Sequence, residues 1–449
     1  MSNFLGEIEK RVLIHDGSKG YMLQKLGLKG GECGESWNIS KPDAVRQVYR
    51  AYLDAGSDVI QTNTFSGNRI ELVKYGLGDK TYEINYQGVR LAHEAADGKA
   101  FVCASIGPTG LLFEPSGELT FDRAYEIFSE QVKAVADGGA DVINFETFTD
   151  IAELRAAYFA ARDNTMLPVI CSLAFENNGR TLMGTDPYVA ALVLKSAGAD
   201  MVGTNCSFGP GHMTGIVEKL HDAGTGYLSA KPNAGLPQVI DGKTVYEETP
   251  EHFAELAAQF AGYGARLIGG CCGTTPEFIK ALKSRLSSLP SATEKQPEKG
   301  LPRGTITSAV KFIEVDKLDK GNIGYLDASK DAGLLEALKN GDLSFVEDTA
   351  LDLASEGYDA IYVNADAARG DTKLLSQVVD RTQWYVREPI IIGTGDAAAL
   401  HSALRIYRGI AGVAICGDEA GKEALKAVAA KYGSVVVETG AQEVIAISR

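Results

Sequence analysis

Two cysteines, Cys271 and Cys272, stand side by side in "GARLIGGCCGTTPEF" (264–278), directly after an apolar run and two glycines. A disulfide between neighbours is strained, and two inert buried thiols would not need the glycines. A third cysteine, Cys206, closes the run "ADMVGTNCS" (199–207). Three thiolates that leave a fourth position open suit a catalytic zinc, a borderline-soft ion that tolerates an exchangeable ligand. The glycines let the backbone turn so that consecutive side chains face one ion, whereas a regular strand would send them to opposite faces. The competing reading is plain burial, since cysteine is among the most buried residue types. Cys103 and Cys171 are assigned to the core on that ground. Cys206, at a matching strand end, is what tips the other three toward a metal.

Carboxylates and amides gather at similar positions: Asp16, Gln61, Asn63, Glu146 and Asn205 each end an apolar run. Such carboxylates are often salt-bridged structural groups. Two of them beside a metal and several amides better suit capture of an ammonium-bearing substrate. The histidines form no metal pattern; His15 precedes Asp16, and His212 is assigned to a loop.

The elements that must position these residues are short and regular. Eight apolar runs occur: "RVLIHDG" (11–17), "SDVIQTNTF" (57–65), "AFVCASIG" (100–107), "ADVINFET" (140–147), "LPVICSLAF" (167–175), "ADMVGTNCS" (199–207), "GYLSAKPNAG" (226–235) and "ARLIGGCCG" (265–273). Each reads as a strand buried on both faces, the pattern of a parallel sheet. Between them lie helical stretches that often stop at glycine, such as "DAVRQVYRAYLDAG". Eight such units in about 285 residues predict an α/β fold of the TIM (β/α)8 type, with a doubly wound open sheet as the alternative. In a barrel the chemistry sits at the C-terminal strand ends, where the polar residues fall.

Residues 289–305 collect Pro, Ser, Lys and Glu without periodicity and read as a linker after a barrel over 1–288. Alternation then resumes over 306–449 with "GNIGYLDAS", "YDAIYVNAD", "PIIIGTGD", "GVAICGD" and "SVVVETG". Five strands make a smaller α/β domain, too short for another complete barrel.

The chain of 449 residues carries a net charge of −15, which argues against nucleic acid as a partner. No stretch reaches the length of a membrane span and the first residues lack a signal-peptide core, so a cytoplasmic protein is expected, with no membrane partner. Seven cysteines, an odd number, do not read as a disulfide framework.

"VGTNCSFGP" and "IGGCCGTTPEFI" together resemble the zinc-cysteine signature of the homocysteine S-methyltransferase family. "QTNTFSGN", "FETFTDIAE", "FENNGRTLMGT" and "KPNAGLPQVIDGKTVYEETPEHFAE" are similar to further segments of it, most closely those of cobalamin-dependent methionine synthases, over about residues 8–288. The resemblance implies a TIM barrel in which Cys206, Cys271 and Cys272 bind zinc while Asp16, Gln61, Glu146 and Asn205 contact homocysteine. The family's first motif reads like "DGAMGT" where this chain has "DGSKGY", so Lys19 and Tyr21 line a region that differs. The second domain resembles part of a pterin-binding barrel, but Gly393 and Thr394 replace the family's "DS", and Ile415 and Cys416 replace its Asn-Ser pair. No corrinoid-binding "DxHxxG" motif occurs.

The function expected is therefore zinc-dependent methyl transfer to homocysteine, forming methionine, with the methyl group delivered by a separate methyl-corrinoid protein that carries the cobalamin. The alternatives are a small donor used directly, such as a betaine or S-methylmethionine, and a non-catalytic zinc protein. Residues 306–449 are expected not to bind folate; they serve self-assembly into a homo-oligomer or docking of the corrinoid partner, or are a relic.

Overall fold

The computed structural model describes residues 4–240, 243–288, 300–368, 371–415, 419–439 and 444–447. The chain divides into two compact units, Met1–Met183 with Ala199–Gly300, and Gly184–Gly198 with Leu301–Arg449.

The first unit holds an eight-stranded parallel sheet whose strands are β1 (Leu13–Ile14), β2 (Val59–Gln61), β3 (Phe101–Ile106), β4 (Val142–Phe148), β5 (Val169–Leu173), β6 (Met201–Asn205), β7 (Leu228–Lys231) and β10 (Ala265–Ile268). Their order is β1-β10-β7-β6-β5-β4-β3-β2. A parallel bridge between His15 and Val59 joins the two ends. Asp16 N donates to Val59 O at 3.1 Å and Asp58 N to Ile14 O at 2.8 Å, closing the ring. The eight strands coincide with the eight apolar runs, and the TIM-type barrel is confirmed over the open-sheet alternative. A hairpin of β8 (Pro237–Ile240) and β9 (Lys243–Tyr246) is inserted after β7.

Burial explains why the runs are almost wholly apolar. Every residue of β3, β5 and β6 is buried, because helices cover the outside while side chains fill the inside. The helices start where the sequence supplies caps: Thr120 accepts from Arg123 N ahead of the helix Phe121–Asp137, and Asp150 accepts from Ala152 N. The short helix Phe4–Lys10 places Phe4 and Ile8 in a cluster with Leu13, Val59, Phe101, Cys103, Val142, Ile170, Met201 and Leu267. That cluster fills the N-terminal half of the barrel and leaves the opposite rim to polar residues. Cys103 and Cys171 are fully buried, as expected of core thiols. His212, assigned to a loop, instead sits in the first turn of the helix Pro210–Asp222, which Pro210 starts at N1.

In the second unit a hairpin of β11 (Thr305–Thr307) and β12 (Phe312–Glu314) precedes a six-stranded sheet. Its strands are β13 (Ile323–Asp327), β14 (Ala360–Asn364), β15 (Ile390–Thr394), β16 (Gly412–Ile415), β17 (Val435–Thr439) and β18 (Val444–Ile447), in sequence order. The first five pair in parallel and are the five expected strands; β18 adds antiparallel to β17 and was not expected. Within 289–305, β11 begins at Thr305, and 289–299 lie outside the described residues, as does Cys416. Gly393 has a local reason. A Cβ there would lie 2.0 Å from the Tyr362 hydroxyl, so the Tyr362 ring requires glycine on the neighbouring strand.

Candidate metal centre

The three cysteines predicted to converge do so. The Sγ atoms of Cys206, Cys271 and Cys272 all lie within 4.8 Å of one another, and Cys206 Sγ is 3.7 Å from Cys272 Sγ. Zinc–sulfur bonds of about 2.3 Å at tetrahedral angles place sulfurs about 3.8 Å apart, so the spacing fits one ion. Among the described residues this is the one group of three or more Cys, His, Asp or Glu that meets that spacing.

Local backbone conformation creates the convergence. Cys206 and Ser207 take left-handed φ values of 63° and 62°, which turn the chain sharply at the end of β6. The Cys206 N–H donates to Lys231 O at 3.0 Å, and the Ser207 hydroxyl accepts from Phe175 N at 3.0 Å. After β10 the segment is stapled to the loop following β7. Cys271 N donates to Pro232 O at 2.8 Å, Cys272 N to Asn233 Oδ1 at 3.0 Å, and Ala234 N to Cys272 O at 2.9 Å. Consecutive thiols thus reach one point because the chain has left the strand.

The glycines before Cys271 have a different role from the one expected. Gly269 and Gly270 are not among the positive-φ residues. What they allow is close approach: a Cβ on Gly269 would lie 2.6 Å from His15 O, and one on Gly270 would lie 2.2 Å from Thr274 Oγ1. They seat the cysteine segment against β1 and its own turn.

The thiols share protons unequally. S–H donation from Cys271 and then Cys272 holds Cys206 down, to about 3. The resulting thiolate pushes Cys271 up to about 11, and Cys272 is raised in the same way. A divalent soft ion binds thiolates, so zinc loading is expected to release protons near neutral pH and affinity should rise with pH. Competition with a chromophoric chelator between about pH 6 and pH 8 checks it; a pH-independent affinity would contradict binding through deprotonated thiols.

The thiols border a cavity of about 430 Å3, lined also by Lys19, Glu35, Gln61, Asn63, Glu146 and Lys231. Gln61 and Glu146 meet, the Gln61 amide donating to Glu146 and to Ser105 Oγ at 2.8 Å. Asn63 lines the cavity, and its side chain donates to Gly34 O at 2.9 Å and Asn38 Oδ1 at 3.0 Å, fixing the loop that carries Glu35. Asp16 and Asn205 are fully buried and do not line the cavity. Asn205 Oδ1 accepts from Thr147 N at 2.8 Å, its Nδ2 donates to Thr147 Oγ1 at 2.7 Å, and Cys271 Sγ lies 3.7 Å from that nitrogen. It holds Thr147 at a left-handed φ of 65° and orients a thiol.

Two lysines complete the site. Lys19, noted as a departure in the first motif, bonds Asp16 Oδ1 at 2.5 Å and Gly17 O at 3.1 Å. Lys231, which sequence reasoning did not single out, is 1% exposed, pairs with Glu146 and donates to Gln61 Oε1 at 2.7 Å. Its only sequence signal was a cation ending the apolar run "GYLSAK". Glu35 was also missed; burial raises its pKa, and it accepts from Ser66 N at 2.9 Å. Tyr21, expected to line a region that differs, stacks edge-on against Tyr246 of the inserted hairpin with ring centroids 6.0 Å apart.

Residues 13–286 match the sequence model of a family described as homocysteine S-methyltransferase. Methionine synthase of Mycobacterium tuberculosis is 28% identical over 433 residues, covering 90% of this chain and 35% of that protein. Methionine synthase of Mycobacterium leprae is 31% identical over 318 residues, covering 66% of this chain and 26% of that protein. The chain thus spans between about a quarter and a third of the length of these relatives. Among solved structures, the metallated form of the homocysteine methyltransferase MmuM of Escherichia coli matches with a TM-score of 0.54 at 22% identity, over 62% of this chain and 98% of that one. The oxidized form of the same protein matches with a TM-score of 0.53 at 23% identity. Both likenesses concern the fold.

Proposed function

The chain belongs to the homocysteine S-methyltransferase family, and from that premise we propose that it methylates homocysteine to methionine, with zinc held by Cys206, Cys271 and Cys272. The observation that carries the reading is the fit of three thiols to one tetrahedral ion at the edge of a cavity of about 430 Å3. A site closed for structure alone would supply four protein ligands, and this one offers three beside open space.

A free thiol titrates around 8.5 and is mostly protonated at neutral pH. Zinc, when bound, supplies the positive charge that keeps the acceptor sulfur deprotonated. The transfer forms a sulfur–carbon bond as the bond between donor and methyl carbon breaks, and the thiol proton leaves to solvent. Such a displacement needs sulfur, carbon and leaving group in line, and positioning contributes up to ~7–11 kcal/mol in well-oriented cases. Here the positioning falls to the wall of Gln61, Asn63, Glu146 and Lys231, with Asp16 and Asn205 behind it. In this reading the methyl group comes on a corrinoid carried by a separate protein.

Homocysteine binding to the zinc-loaded protein is expected to release about one further proton per site. Calorimetric titration in buffers of different ionisation enthalpy measures it. Binding without buffer dependence would show that the thiol stays protonated, and the proposal would fail. Turnover screened against methylcobalamin, methyltetrahydrofolate and small methylated donors then identifies the donor.

The barrel over 1–288 carries this chemistry, and residues 306–449 are proposed to serve association rather than to bind folate. In support, rim side chains there satisfy one another: Thr394 Oγ1 donates to Asp366 Oδ1 at 2.7 Å and Gly395 N to Asp366 Oδ2 at 2.8 Å. Forcing a pterin onto such a rim would leave polar groups unpaired at ~1–3 kcal/mol each. Calorimetry of the whole chain with methyltetrahydrofolate is expected to give no saturable heat at micromolar concentrations. Among the described residues no helix is long and apolar enough to cross a membrane.

A further inference from the structure

The charged groups around the cavity are spent unequally. Glu146 accepts from four donors: Gln61 Nε2, Ser105 Oγ, Lys231 Nζ and Asn144 Nδ2, the last at 3.2 Å. A carboxylate offers about four lone-pair sites across two oxygens, so Glu146 is filled. Asp16 lies behind Lys19, fully buried, with Gln61 N on Oδ2 at 2.9 Å and Lys19 on Oδ1. His15 Nδ1 approaches the same Oδ1 to 3.0 Å. Among the described residues the carboxylates an incoming ammonium meets on the cavity wall are thus already engaged: Glu146 is filled, and Glu35 accepts from Ser66 N at 2.9 Å and from Cys33 Sγ at 3.7 Å.

The lysines have capacity left. An ammonium has three N–H donors. Lys19 uses two, on Asp16 and Gly17 O, and Lys231 uses two, on Gln61 Oε1 and Glu146. Among the described residues each retains one, and both side chains line the cavity. They are also close enough to repel one another. An anion between them would relieve that repulsion, within a short chain's reach of the thiols.

We propose that Lys19 and Lys231 hold the carboxylate of the acceptor thiol, and that its ammonium group makes no ion pair with Asp16 or Glu146. The proposal rests on the reading of the site as a thiol methyltransferase and reverses the part expected of the carboxylates: they position the lysines, and the lysines recognise the substrate. The acceptor class is thus a short thiol carrying an anion three carbons from sulfur, whether or not it carries an amine.

The test uses the zinc-loaded full chain and three thiols in calorimetric titration: homocysteine, 4-sulfanylbutanoate, which lacks the amine, and 3-aminopropane-1-thiol, which lacks the carboxylate. 4-Sulfanylbutanoate is expected within about threefold of homocysteine, and the aminothiol ~10-fold or more weaker, the loss that goes with a charge-assisted contact. Lys19→Gln, at the more exposed of the two lysines, should erase the preference for the carboxylate while zinc content stays unchanged. If the aminothiol matches homocysteine, or both analogues lose equally, the proposal is overturned while the methyltransferase reading stands. If no thiol binds, homocysteine included, both fall together. Because the comparison is made on unaltered protein, it does not depend on the variant folding.

Discussion

A Cys206→Ser protein will emerge from purification without its zinc, and methyl transfer to homocysteine will be lost with it. The substitution preserves the backbone, since serine takes the φ of 63° at this position as readily as cysteine does. It removes an atom that sits 3.7 Å from Cys272 Sγ and replaces a soft thiolate by an alcohol that does not ionise in the accessible range. Four-ligand zinc sites bind with roughly 10–16 kcal/mol, so one ligand's share is about 3 kcal/mol and its loss weakens binding ~100-fold or more. In this centre the loss is compounded, because Cys206 is the thiol the others make acidic. Elemental analysis gives the answer directly, with Cys103→Ala, a change in the barrel core, as the control that keeps zinc. Stoichiometric zinc in Cys206→Ser would falsify the metal assignment whatever the activity.

The convergence of the three cysteines was legible because a parallel barrel makes its strands monotonous. When "MVGTN" is buried at every position, a polar or sulfur residue at its end stands out, and the barrel rule assigns all such ends to one rim. What could not be read was which polar groups would consume one another. Lys231 and Glu146 are 85 residues apart, and nothing local distinguishes a lysine at the end of β7 from a solvated one. Nor does the sequence show that Lys19, three residues on from Asp16, pairs with it. Asn205, expected to contact homocysteine, also bonds Thr147 through its amide, a need that arises only once Thr147 adopts a positive φ. Glycine offers the clearest case of a correct residue with an incomplete reason. Gly269 and Gly270 had to be small, but for contact with His15 and Thr274, which are remote or unremarkable in the sequence until the barrel closes.

Lys231→Met is expected to destabilise the barrel by about 3–5 kcal/mol near pH 8, the cost of leaving a buried carboxylate without its counter-charge. Lys231 is 1% exposed and Glu146 3%, so water cannot replace the missing ammonium. The remaining donors, Gln61, Ser105 and Asn144, are neutral and compensate only in part. Adding Glu146→Gln removes the orphaned charge, and the double variant should recover most of the stability, since replacing both members of a buried pair is often close to neutral. Denaturation of the four proteins near pH 8 completes the cycle. A Lys231→Met protein as stable as the parent would show that the buried pair with Glu146 contributes nothing to the fold, and that Lys231 is not held in place by it.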